Sequence, residues 1–85
     1  MKKIGLDVRN EEEVIDNPAP SSVHIPLGRL PDEVESEISD KTSNILVFCE
    51  KGGRAERAKE YLESLGYSSV ENFGTWREWN ESLKK

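Results

Sequence analysis

Apolar positions along the chain come as short runs separated by segments with helical spacing, and most boundaries carry a start or stop signal. Residues 4–8 read as a first strand. Asn10 offers a side-chain cap and Glu13, three residues on, completes a capping box, which predicts a short helix over 11–15. The stretch 17–22, Asn-Pro-Ala-Pro-Ser-Ser, must be loop, because each proline pushes its predecessor out of helical geometry. Residues 23–25 form a short second strand, closed by Pro26.

Pro31 suits the first turn of a second helix, where Asp32 and Glu33 complement the positive end of the dipole. Leu30, Val34 and Ile38 recur at four-residue steps and give this helix its buried stripe; the charges from Asp32 to Asp40 read as its solvated face. Residues 45–48 are the strongest strand, and their unbroken apolar run implies cover on both faces. The longest helix is predicted over 53–65, with Ala55, Ala58, Leu62 and Leu65 on one face and Gly66 as its stop. Residues 70–73 make the last strand. Thr75 and Glu78 then form a second capping box, opening a helix expected to bury Trp76, Trp79 and Leu83 by packing. Strand and helix alternate throughout, and parallel strands need such crossovers. The expected fold is α/β: a small parallel sheet of about four strands with helices on both faces.

Eighty-five residues leave room for one core, so 1–85 is read as a single domain. Hydrophobic and charged residues at 34% each describe a well-solvated globule. Twelve Lys and Arg against seventeen Asp and Glu give a net charge of -5, which argues against nucleic acid as a partner. The longest apolar run, 45–49, is far too short to span a bilayer. One cysteine forbids an internal disulfide, and one cysteine with one histidine cannot build a structural zinc site. Met1-Lys2-Lys3 has the flavour of a signal-peptide start, but no apolar stretch follows it. A cytoplasmic monomer is expected, with the periplasm as the alternative if a signal peptide has been removed.

Functional groups in a parallel α/β sheet collect at the carboxyl ends of the strands. Cys49 stands there, followed by Glu50, Lys51, Gly52, Gly53 and Arg54 and then a helix. Consecutive glycines let backbone N–H groups turn inward into an anion-binding concavity, and the helix N-terminus adds free donors. A thiol so placed is expected to be a nucleophile at neutral pH. A lone cysteine continuing an apolar strand is otherwise an inert core residue. What favours chemistry is a broken rule: Arg54 and Arg57 open this helix, with Lys51 just before it, where the dipole disfavours cations. An acidic chain that concentrates positive charge there is built to bind an anion, although Glu50 and Glu56 keep the field local. Asp7 and Arg9, at the end of the first strand, are expected to support the site as a buried ion pair or hydrogen-bond anchor. His24, the sole histidine, is assigned a structural role.

The segment 49–54 resembles the C-x-x-G-x-R active loop of rhodanese domains, and the likeness runs over nearly the whole chain. Leu6-Asp7-Val8-Arg9, with the acidic run at 11–13 and Val14, resembles the family's opening D-V-R segment. His24-Ile25-Pro26-Leu27 is similar to its I-P-L run. Leu65-Gly66-Tyr67 and Val70-Glu71-Asn72-Phe73-Gly74 are similar to its later G-Y and V-x-N-x-G-G segments. The small single-domain rhodaneses of the phage-shock type fit best. Two positions depart from the pattern: the 17–22 loop lacks the family's glycines, and Thr75 replaces the second glycine of the G-G pair.

The resemblance implies a thiosulfate sulfurtransferase that carries sulfur as a persulfide on Cys49. Glu50, Lys51, Gly52, Gly53 and Arg54 would form the cradle, with Lys51 and Arg54 holding the anionic donor. Thiosulfate or another small sulfur donor is the expected partner, cyanide or a thiol the acceptor, and no metal or organic cofactor is required. A non-catalytic persulfide carrier or redox-responsive interaction module is the alternative.

Overall fold

The structure, a computed structural model, describes residues 3–84. Met1 and Lys2, which begin the signal-like start, lie outside the described residues. The elements in order are β1 (Lys3–Asp7), α1 (Glu11–Asp16), β2 (Ser22–His24), a single 3-10 turn (Leu27–Arg29), α2 (Leu30–Glu37), β3 (Asn44–Cys49), α3 (Gly53–Ser64), β4 (Ser69–Thr75) and α4 (Trp76–Ser82). All strand pairs are parallel, in the order β2-β1-β3-β4. Both predicted capping boxes are present, Asn10 with Glu13 and Thr75 with Glu78.

β3 is interior and is covered on both faces, which is why its sequence is apolar without alternation. Ile45, Val47 and Cys49 join Leu6, Val34, Ala55, Ala58 and Leu62 in the larger core, beneath α2 and α3. Phe48 joins Ala19 and Trp79 in a smaller core on the opposite face, beneath α4. There the Phe48 and Trp79 rings stack with centroids 5.3 Å apart, and Phe73 meets Trp79 edge-on. Gly5 of β1 lies directly under the Trp79 ring, where a β-carbon would have no room.

Two expectations need adjustment. Leu83 is 43% exposed rather than buried, because α4 ends at Ser82 and Leu83 only caps it, beyond the cluster around Trp79. The last strand runs longer than 70–73, since its register shifts: Val47 pairs with Asn72 but Phe48 with Gly74. The shift lets the strand carry on to Thr75, which ends β4 and caps α4 at once. Gly74 supports this turn with a φ of +102, and a side chain there would strike Glu78.

Candidate active site

Cys49 is the last residue of β3 and only 1% exposed, so its sulfur lies at the floor of the loop that joins β3 to α3. The Gly52 N–H donates to Cys49 Sγ at 2.9 Å. This is possible because Gly52 takes φ +96, a left-handed conformation that side chains resist. Space is open above both loop glycines, where a β-carbon would meet nothing within 4 Å. Gly52 is therefore required for its backbone, not for clearance. Its carbonyl begins α3 by accepting from Glu56 N–H at 3.0 Å and also accepts from Asn72 Nδ2 at 3.2 Å. Asn72 Oδ1 accepts in turn from Gly74 N–H, which fixes the amide between β4 and the loop.

Arg54 does not stand free over the loop. Its guanidinium donates to both carboxylate oxygens of Glu13, at 2.6 and 2.8 Å, in the fork geometry that makes such pairs strong. The Arg54 hydrogen bond is the main reason the Glu13 carboxyl is pulled down from 4.5 to about 2. Arg54 is raised correspondingly, first by Glu13, with smaller contributions from Cys49 and Asp7. Arg54 thus closes the loop against α1, and its charge is already met.

Asp7 and Arg9 form the buried pair expected of them, with Arg9 Nη2 2.7 Å from Asp7 Oδ2. Such a pair is stable only when its other hydrogen-bonding groups are satisfied. Arg9 meets that condition by donating to the carbonyls of Asn17 and Glu13, at 2.7 and 3.3 Å. It thereby secures the end of α1 and sets where Glu13 sits. The His24 ring bonds the Arg9 carbonyl at 2.7 Å, a structural role as expected. The 17–22 loop is pinned from α4: Trp79 Nε1 donates to the Pro20 carbonyl and Asn80 Nδ2 to that of Pro18.

Glu50 turns toward α4, accepting from Trp76 Nε1 at 2.9 Å and Arg77 Nη1 at 2.8 Å. The indole first, then the guanidinium, hold its carboxyl below the usual carboxylate range. Lys51 and Arg57 are exposed, and among the described residues neither has an ion-pair partner. The structure thus sets Gly52 against Cys49, leaves Lys51 exposed in the same loop, ties Arg54 to α1, and ties Glu50 to α4. Sequence reasoning saw Glu13 only as a helix cap and gave no role to Asn72 or Arg77. Arg77 had a visible signal, a cation in the first turn of a helix.

A family model described as the rhodanese-like domain matches residues 2–82. The thiosulfate sulfurtransferase PspE of Escherichia coli is 32% identical over 69 residues, covering 81% of this chain. The chain spans just under two thirds of the first curated relatives it matches, 64% of a Schizosaccharomyces pombe protein and 66% of PspE. Among solved structures, a rhodanese with anions from E. coli superposes with a TM-score of 0.83 at 29% identity, covering 89% of each chain. The human single-domain sulfurtransferase TSTD1 gives 0.75 at 27% identity, covering 94% of this chain and 82% of its own. On the match of residues 2–82, supported by the parallel sheet and the Cys49 loop, this chain belongs to the rhodanese-like domain family.

Proposed function

We propose that this chain is a thiosulfate sulfurtransferase working through a persulfide on Cys49. The observation that carries the reading is the Gly52 N–H directed at Cys49 Sγ inside a loop closed on both sides by ion pairs. The Cys49 thiolate attacks the outer sulfur of thiosulfate, the sulfur–sulfur bond of the donor breaks, and sulfite leaves with the bonding pair. Cyanide or a thiolate then takes the terminal sulfur of the persulfide, and the Cys49 thiolate is regenerated. Splitting the transfer this way gives ping-pong kinetics. The Gly52 N–H, with the free N–H donors that a helix start supplies, would stabilise the anionic terminal sulfur. Exposed Lys51 supplies the cation that draws in the donor, while Arg54 keeps the loop closed through Glu13.

The test is incubation of the pure protein with thiosulfate followed by intact mass measurement. Gain of one sulfur atom, removed by cyanide and absent from Cys49→Ser, supports the enzyme. No adduct with thiosulfate, but loading by another persulfide protein, would establish a carrier instead.

A further inference from the structure

We infer that Arg77 sets the anion affinity of the Cys49 loop by neutralising Glu50, the loop's own carboxylate; the inference takes its substrate from the sulfurtransferase reading. Glu50 follows Cys49 directly, in a loop whose other features favour an anion: the Gly52 N–H, the start of α3 and Lys51. A free carboxylate there repels a dianionic donor. It is not free, because the first two residues of α4 take one oxygen each, Trp76 through its indole and Arg77 through its guanidinium. Arg77 also lies over the Trp76 ring, 4.5 Å from its centroid, so the three side chains form one clamp.

The other two arginines that reach this region are already engaged and do not replace Arg77. Arg54 is engaged by Glu13, and Arg9, which lies 5.3 Å from the same indole centroid, is buried and engaged by Asp7. With these pairs cancelled, the charges left within residues 50–57 are Lys51 and Arg57 against Glu56, whose carboxylate is bonded to Asn72. Loss of Arg77 leaves Glu50 to offset Lys51. Arg77 itself stands in the first turn of α4, where the helix dipole disfavours it, and the partner that compensates is Glu50. At the separations within one loop, an uncompensated charge acting on a dianion in a water-like dielectric changes its binding roughly three- to tenfold.

The experiment compares wild type with Arg77→Met, Arg77→Lys, Glu50→Gln and the Glu50→Gln/Arg77→Met double variant. Methionine keeps an apolar stem on Trp76 without the charge. Alkylation of Cys49 is timed with iodoacetate, an anion, and iodoacetamide, its neutral counterpart. The rate ratio reports the field at the sulfur without any turnover, and the neutral reagent reports loop integrity. Arg77→Met should lower the ratio roughly twofold, iodoacetate carrying one charge, and raise the KM of dianionic thiosulfate roughly three- to tenfold, both fading at high salt. Arg77→Lys should keep the wild-type ratio, and the double variant should recover it, because the amide introduced by Glu50→Gln carries no charge to neutralise. An unchanged ratio in Arg77→Met, or a loss that persists in the double variant, overturns the inference. Ratios that follow this pattern in a protein that never accepts sulfur from thiosulfate uphold the role of Arg77 and sink the sulfurtransferase reading instead.

Discussion

Glu13 and Arg54, 41 residues apart in sequence, meet in a two-pronged ion pair that ties the first helix to the Cys49 loop. The same Glu13 carboxylate accepts from the Asn10 backbone N–H at 3.1 Å, so a single side chain starts α1 and closes the loop. Arg9 holds the backbone of α1 at the Glu13 carbonyl, so the buried Asp7–Arg9 pair positions the clasp from below.

This clasp makes acid stability a direct readout. A carboxyl whose folded pKa is lowered stabilises the fold above its unfolded value and loses that contribution as pH falls through the folded one. For Glu13 the window runs from 4.5 down to about 2. Glu13→Gln, which can keep the capping box, should cost about 1 kcal/mol near neutral pH, the pair being partly exposed. Urea unfolding across pH should show the gap to wild type closing toward the bottom of that window. A gap that stays constant would remove the charge from the account.

Cys49→Ser should abolish sulfur transfer and leave the fold intact, since the serine hydroxyl is not ionised at neutral pH. The checks are thiocyanate production from thiosulfate and cyanide, and an unchanged unfolding midpoint. Residual turnover by the folded variant would assign the covalent chemistry elsewhere.

Lys51→Ala should raise the thiosulfate KM roughly threefold with kcat nearly unchanged, and salt should mimic part of the loss in wild type. Steady-state kinetics at two ionic strengths decide this. A KM insensitive to both would mean that backbone donors hold the anion alone.

Asn72→Ala removes the donor to the Gly52 carbonyl and the acceptor for Gly74 N–H. With Gly52 no longer held against Cys49, kcat should fall roughly tenfold, more than KM rises, because small misplacements of reacting groups are costly. Iodoacetamide reactivity of Cys49 should change with it. Loss of stability with kcat preserved would reduce Asn72 to a structural role.

Gly5→Ala tests the packing beneath α4. An added β-carbon would lie under 3.0 Å from three ring carbons of Trp79. Overpacking of this kind costs about 1–3 kcal/mol. Denaturant unfolding should show the loss, with Cys49, which packs in the core on the opposite face of the sheet, still able to take up sulfur.

Much of the architecture was legible because its signals are local. The two capping boxes, the unbroken apolar run of β3 and the Gly66 stop each depend on neighbours within a few residues, and all appear where the spacing placed them. Cys49 and its Gly-Gly turn were legible for the same reason, with the Asp7–Arg9 pair beside them at a separation of two. Leu83 was not, because whether an apolar position is covered depends on what lies beyond the end of its helix.

Charge is where sequence and tertiary structure part. Sequence alone determined that cations gather at the start of α3, since they break a local rule there. It could not determine which of them remain available to a substrate. Parallel strands bring their carboxyl ends, and the segments that follow them, to one end of the sheet, and this brings Glu13 to Arg54 and Glu50 to Arg77, 41 and 27 residues away. Ion pairing falls off with distance in space and is indifferent to distance along the chain. Only the fold decided that Arg54 is a clasp, that Glu50 is held by Arg77, and that Lys51 is left without an ion-pair partner among the described residues.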